Sequence, residues 1–68
     1  MNPKDKIAAE VKRIRRNLKL TQKQFCELFN TKVPSDVALT QSTLCRYERG
    51  EISPPAYKME VIRDLRSS

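Results

Sequence analysis

Residues 40–50 read TQSTLCRYERG, and this segment has the clearest helix boundaries in the chain. Thr40 is a favourable N-cap residue, because its hydroxyl can accept a hydrogen bond from a free backbone N–H of the first turn. Gly50 can end the helix in a left-handed conformation without a side-chain penalty. Leu44 and Tyr47 lie three residues apart between the two caps and are predicted to face inward. The segment therefore predicts a short amphipathic helix.

Three further helices are predicted around this one. Thr21 and Gln24 form a capping box at the start of the second helix, and apolar residues recur at spacings of three and four in the first and last. Residues 31–39 lack a clean period and contain a Pro-Ser-Asp turn signal, which predicts a loop with at most one helical turn. The expected fold class is all-α, with four short helices or at most five in one domain. The predicted helices span residues 3–18, 22–30, 41–49 and 55–66.

The helix ends and the core follow from the same patterns. Asn2 is the expected N-cap of the first helix, ahead of Pro3 at the first helical position. Asn30 can end the second helix in a left-handed conformation, and Glu48 is a further candidate for an inward-facing position. The core candidates are Ile7, Val11, Ile14, Leu18, Leu20, Phe25, Leu28, Phe29, Leu39, Leu44, Tyr47, Ile52, Met59, Ile62 and Leu65.

Length and composition limit the class of protein. A chain of 68 residues allows one small domain with few elements. No apolar run approaches the ~18 residues of a membrane span, and the N-terminus lacks the apolar segment of a secretory signal, so a cytoplasmic protein with no membrane partner is expected. Cys26 and Cys45 are expected to be reduced thiols. Without histidine or a CxxC pair, no metal site and no other cofactor are predicted.

The net charge of +6 arises entirely in the first third of the chain. Residues 1–23 contain eight Lys or Arg and two Asp or Glu, whereas residues 24–68 contain six of each. Such a basic segment can attract a polyanion through counterion release. A solvated helix face without a partner explains the charge equally well when the charge is considered alone.

Three segments in order resemble the helix-turn-helix domains of the lambda repressor and Cro family, which are also called XRE-like. They are RxxxKLTQ at residues 15–22, TQSTLCRYERG at 40–50 and SPP at 53–55. The resemblance covers roughly residues 7–65. It implies a lambda repressor-like fold that binds a specific duplex DNA sequence by placing the helix after Thr40 in the major groove.

Two features depart from the family pattern. Lys19 stands where the family usually has glycine, so the bend after the first helix is expected to differ. About eight extra residues, roughly Thr31–Ala38, lengthen the turn between the second and third helices, which is similar to POU-specific domains. No homeodomain follows, so a bacterial, phage or plasmid regulator is expected. The insertion offers little to bury and is expected to tolerate shortening.

The side chains at the start of the third helix suit base recognition. Gln41 can form a bidentate pair with adenine, Arg46 can do the same with guanine, and the short Ser42 can donate or accept. The alternative interpretation is that Gln41 and Ser42 are ordinary first-turn residues and Arg46 is a solvated charge. Five further residues are expected to contact phosphates, with an exposed helix-start residue as the alternative for Gln22 and generic surface charge as the alternative for Lys23 and Arg49. They are Gln22, Lys23, Thr43, Arg49 and, in the insertion, Lys32, for which a passive spacer is an equally good interpretation.

The resemblance also implies two contacts within the protein. Gln22 should brace the amide of Gln41. Arg15 and Glu48 should form a partly buried ion pair between the first and third helices, which makes them structural residues and not DNA contacts.

Other functions were weighed against DNA binding. An enzyme is not expected, because the chain has no histidine, no glycine-rich phosphate loop and little room for a cleft. The main alternative is a protein-binding module on the same fold, such as an antitoxin or antirepressor, and a third is binding of structured RNA through the basic first helix. Repression is the expected effect. The resemblance implies a homodimer on a pseudo-palindromic operator, although a chain that ends at Ser68 without a fifth helix is expected to be a monomer or weak dimer in free solution.

Overall fold

The computed structural model describes residues 3–66, which form four α-helices and no strand. The all-α fold class is therefore confirmed, and the predicted helix limits are correct to within one residue at every end. Asn2, the predicted N-cap of the first helix, lies outside the described residues. None of the helices in the described range is long and apolar enough to cross a membrane. The helices are α1 (Pro3–Asn17), α2 (Gln22–Asn30), α3 (Gln41–Arg49) and α4 (Ala56–Arg66), with a single 3₁₀ turn at Ser35–Val37.

The core forms where α1 and α2 each pack against both α3 and α4. Most predicted core residues are buried, and Ile7, Leu18, Leu20 and Leu28 are partly buried and pack against the cluster. The buried apolar side chains of the cluster are Val11, Ile14, Phe25, Cys26, Phe29, Leu39, Leu44, Tyr47, Met59, Ile62 and Leu65.

Three positions correct the predicted core. Ile52 is 38% exposed, because it lies in the irregular segment between α3 and α4 and not on a packed helix face. Ala8 is buried, although its small side chain gave no apolar signal; it lies where the end of α3 approaches α1 closely. Cys26 is also buried, beside Phe25 in the sequence, which places this thiol in the core and away from solvent.

Left-handed residues end both α1 and α3. Lys19 has φ 59°, its N–H donates to the carbonyl of Arg16, and the next N–H donates to Arg15, which is the Schellman arrangement. The expectation that lysine would change this bend is therefore wrong. Gly50 has φ 78°, and a Cβ there would lie 2.9 Å from an oxygen of Asp5. Glycine suits this left-handed conformation because it carries no Cβ, whereas the exposed side chain of Asp5 could move away from an added Cβ.

The insertion between α2 and α3 is closed by a side chain. Asn30 is the last residue of α2, and the αR residue Thr31 follows it, so the predicted left-handed Asn30 is wrong. Its amide instead forms two hydrogen bonds with the backbone of Leu39: Nδ2 donates to the carbonyl (3.1 Å) and Oδ1 accepts from the N–H (2.7 Å). Val33 packs against the core, so the insertion is not entirely a surface spacer as expected.

Candidate nucleic-acid interface

The first turn of α3 is fixed by its N-cap. The Thr40 hydroxyl accepts a hydrogen bond from the N–H of Thr43 (3.2 Å) and donates to the Thr43 hydroxyl (2.9 Å). Because the oxygen of Thr43 is the acceptor in that bond, its own hydroxyl hydrogen is available for an external acceptor. Leu39, immediately before the cap, is buried and held by Asn30. The start of the helix is thus anchored on the core side.

The predicted base-reading residues lie on the exposed side of this helix. Gln41, Ser42 and Arg46 are all exposed, and their side chains form no hydrogen bond or ion pair with any residue between 3 and 66. Ser42 and Arg46 are four residues apart and therefore lie on one face of the helix. We call these three residues the exposed row; none of their side chains has a partner among residues 3–66, so each is free to contact a ligand.

α3 is tied to α1 by a bidentate ion pair. Arg15 Nε donates to Glu48 Oε2 at 2.7 Å, and Nη2 donates to Oε1 at 3.1 Å. A third guanidinium nitrogen, Nη1, donates to the carbonyl of Leu20 at 2.9 Å. The hydrogen bonds to Glu48 raise the pKa of Arg15, and burial only partly opposes this effect. The ion pair implied by the resemblance is present, and it joins α3 to the end of α1.

Gln22 belongs to this network and not to the exposed row. Its Nε2 donates to Glu48 Oε1 at 3.3 Å, and no hydrogen bond between Gln22 and Gln41 is found in the described part of the chain. The expected brace of Gln41 is therefore wrong for this structure. A carboxylate is a stronger acceptor than a neutral amide, which explains the choice of partner. The buried charge of Glu48 thus holds α2 as well as α1.

The remaining predicted contacts lie at three places in the fold. Gln22 and Lys23 lie at the start of α2, where their backbone N–H groups have no acceptor within the helix. Arg49 is exposed at the end of α3 and lies 3.6 Å from the carboxylate of Glu51. Lys32 lies elsewhere, beside α4, where it lines a depression of about 320 Å³ with Val61, Asp64 and Leu65.

One other residue, Asn30, matters to the site and was not predicted to. Asn30 was considered only as a helix end, and its position nine residues before Leu39 gave no signal of the contact. Cys45 is half-buried on α3 next to Arg46. No group of three or more His, Cys, Asp or Glu able to hold a metal ion occurs in residues 3–66.

Comparison of the chain with models of protein families, with curated proteins and with solved structures finds no match.

Proposed function

We propose that this protein binds a specific sequence of duplex DNA and regulates transcription, most simply as a repressor. The observation that carries the proposal is the exposed row of Gln41, Ser42 and Arg46 on a short helix whose inner side is held by a buried carboxylate. Side chains that read bases must be free to contact them and must also be held in a fixed position. The row on α3 meets both requirements without any catalytic group.

The chemistry of the three side chains suits the edges of bases in the major groove. The carboxamide of Gln41 can pair with N6 and N7 of adenine, and the guanidinium of Arg46 can pair with O6 and N7 of guanine. Five residues of α-helix rise about 7.5 Å, which is roughly two base-pair steps of about 3.4 Å. The two side chains are therefore far enough apart along the helix to contact different base pairs, and Ser42 lies between them in the sequence.

Phosphate contacts would hold α3 in this position. The free N–H groups at the start of α2 suit a phosphate oxygen, with Gln22 and Lys23 beside them. Thr43 can donate its hydroxyl hydrogen, and Arg49 can exchange its exposed partner Glu51 for a phosphate, since exposed ion pairs are weak. Lys32 would make a lateral contact at most, because it lies beside α4.

The resemblance to the lambda repressor and Cro family, with the lengthened turn of POU-specific domains, supports the same proposal. Related domains bind two half-sites about one helical turn apart, so we propose that this chain pairs on a pseudo-palindromic operator and is a monomer or weak dimer in free solution. As a bacterial, phage or plasmid regulator, it would act in the cytoplasm.

The test begins with selection of bound sequences from a pool of random duplexes. The affinities of Arg46→Ala and Lys23→Ala are then compared on the selected and scrambled duplexes over a salt series. We expect Arg46→Ala to cost about 1–3 kcal/mol on the selected site and to relax the preference at one base pair. Lys23→Ala should weaken all duplexes alike and lower the salt slope by roughly one.

Two results would contradict the proposal. Flat enrichment over the random pool, together with tight capture of a protein partner, would favour the protein-binding alternative. Equal losses on selected and scrambled duplexes for Arg46→Ala would make Arg46 a phosphate contact, and the placement of α3 in the groove would then be wrong.

A further inference from the structure

A second cationic surface lies on the outer face of α1. We call it the α1 basic face and define it by Lys6, Lys12, Arg13 and Arg16 of α1 with Arg66 of α4. Lys12 is half-buried and the other four are exposed. Within residues 3–66, none of the five side chains forms a hydrogen bond or an ion pair. The proposed DNA-reading site uses none of them.

The acidic neighbour of this surface is already neutralised. Glu10 lies at its edge, and both of its carboxylate oxygens accept hydrogen bonds from Arg63, at 2.8 and 3.1 Å. These bonds lower the pKa of Glu10, with smaller contributions from the charges of Arg66 and Arg13. Arg63 therefore satisfies Glu10, and the cations of the α1 basic face remain available for an external anion.

The shape of the surface suits phosphate groups. Ala9 is exposed and lies between two shallow depressions of about 390 Å³ each. Arg13 borders both, with Lys12 and Arg16 on one side and Lys6 and Arg66 on the other. The small methyl group of Ala9 lets a ligand approach the helix closely while cations surround it. Lys6 and Arg16 are ten residues apart, so the charges extend about 15 Å along the helix axis.

This surface points away from the proposed DNA-reading helix. The side of α1 that faces α3 carries Arg15, which pairs with Glu48, and Ala8, which lies near Gly50. α1 and α3 pack through these residues, and the centre of the α1 basic face, at Ala9 and Arg13, lies about 100–160° around α1 from them. The protein measures 32 × 25 × 19 Å, and duplex DNA is stiff over about 150 base pairs. A duplex that lies along the α1 basic face is therefore expected to be a different segment from one bound to α3.

We infer that the α1 basic face binds the phosphate backbone of a second segment of duplex DNA. Charge complementarity carries the inference: several unpaired cations surround a small residue on a regular helix. The exposed large apolar residues of the described chain, Ile52 and Tyr57, lie outside α1. The surface therefore lacks the aromatic groups that stack on single-stranded bases and the apolar centre typical of a protein interface. Backbone binding does not depend on the proposed function, whereas the joining of two DNA segments does.

A bridging experiment tests this inference with the whole chain. The wild-type protein is saturated with an immobilised duplex that carries its selected site, and capture of a fluorescent scrambled duplex is then measured over a salt series. The variant Arg13→Gln with Arg16→Gln removes two exposed charges and keeps good helix-forming residues. We expect it to bind the selected duplex within about twofold of the wild type and to lose most of the capture, with a salt slope lower by about two.

Lys58→Glu is the matched control, because it changes the net charge by the same two units on α4. It should retain capture, which would separate a local contact from a general effect of charge. If no duplex is selected at all, the proposed function fails, and the same variants are compared on scrambled duplexes alone. On scrambled duplexes the inference still predicts that Arg13→Gln with Arg16→Gln loses more affinity than Lys58→Glu does.

Three results would overturn the inference. Undiminished capture by the double variant would show that the α1 basic face is only solvated. An equal loss of binding to the single selected duplex would show that these residues contact the same DNA as α3. Preferential binding of single-stranded RNA or of an acidic peptide to this face would assign it to a different class of partner.

Discussion

Replacing Glu48 with alanine removes the acceptor that joins α1, α2 and α3. Its carboxylate accepts two hydrogen bonds from Arg15 and one from Gln22. Without it, the guanidinium of Arg15, whose side chain is 16% exposed, retains only the carbonyl of Leu20 as a partner. Removing one partner of a buried ion pair costs about 3–5 kcal/mol, and the partial exposure of Arg15 lowers our expectation to about 2–4 kcal/mol.

The expected cost of Glu48→Ala is large relative to the total free energy of unfolding. A domain of 68 residues has a free energy of unfolding of roughly 3–10 kcal/mol. Urea denaturation followed by far-ultraviolet circular dichroism would measure it for the wild type, Arg15→Ala, Glu48→Ala and the double variant. We expect a coupling free energy of about 1–3 kcal/mol between the two residues. If Glu48→Ala does not fold, Glu48→Gln keeps one acceptor oxygen and allows the same cycle.

Glu51→Ala is the control for the charge itself. Glu51 also pairs with an arginine, but both side chains are more than half exposed and the nitrogen–oxygen distance is 3.6 Å. Its loss should cost less than about 1 kcal/mol. Coupling below about 0.5 kcal/mol between Arg15 and Glu48, or an equal cost for Glu51→Ala, would refute the assigned role of the buried pair.

Three further predictions concern the backbone and the thiols. Lys19→Gly should raise the free energy of unfolding by about 0.5–1 kcal/mol, because φ 59° strains a residue with a Cβ; an unchanged midpoint in thermal denaturation would contradict this. Burial, with smaller effects of Glu48 and Glu27, raises the pKa of Cys26 to about 11. The unfolded thiol ionises first, so stability should fall between about pH 8.5 and 11, and native-state alkylation followed by mass spectrometry should label Cys45 before Cys26. Asn30→Ala should lose about 1–2 kcal/mol in urea denaturation by breaking both bonds to Leu39, whereas Asn30→Asp should keep the bond from the Leu39 N–H.

The helices could be predicted from the sequence because local interactions define their ends. Thr21 and Gln24 form the capping box, and Thr40 caps α3 through the N–H of Thr43. Each of these contacts spans three residues. Gly50 likewise ends α3 through bonds within the last turn. Caps and apolar spacing can be recognised without knowing the tertiary structure. The predicted boundaries of α2 and α3 were therefore correct at both ends.

The errors concern contacts between distant segments. Asparagine is a common residue at helix ends, but the amide of Asn30 forms hydrogen bonds with the backbone of Leu39, nine residues away. Gln22 was expected to brace Gln41, and only the packing of α3 shows that Glu48, 26 residues away, is the acceptor within reach. Ile52 is as apolar as the core residues but lies where no helix covers it. Residue type alone does not specify which side chains the chain brings together.

The short length of α3 makes the geometry of the proposed DNA-reading residues depend on the rest of the protein. A helix of nine residues is not stable by itself in water, so the positions of Gln41 and Arg46 are set by the buried side of the same helix. Variants of the exposed row should therefore change DNA binding with little change in stability. Variants of Glu48 should lower the free energy of unfolding first, and DNA binding should fall in proportion to the folded fraction. Measuring both quantities on the same variants separates residues that contact DNA from residues that hold the helix in place.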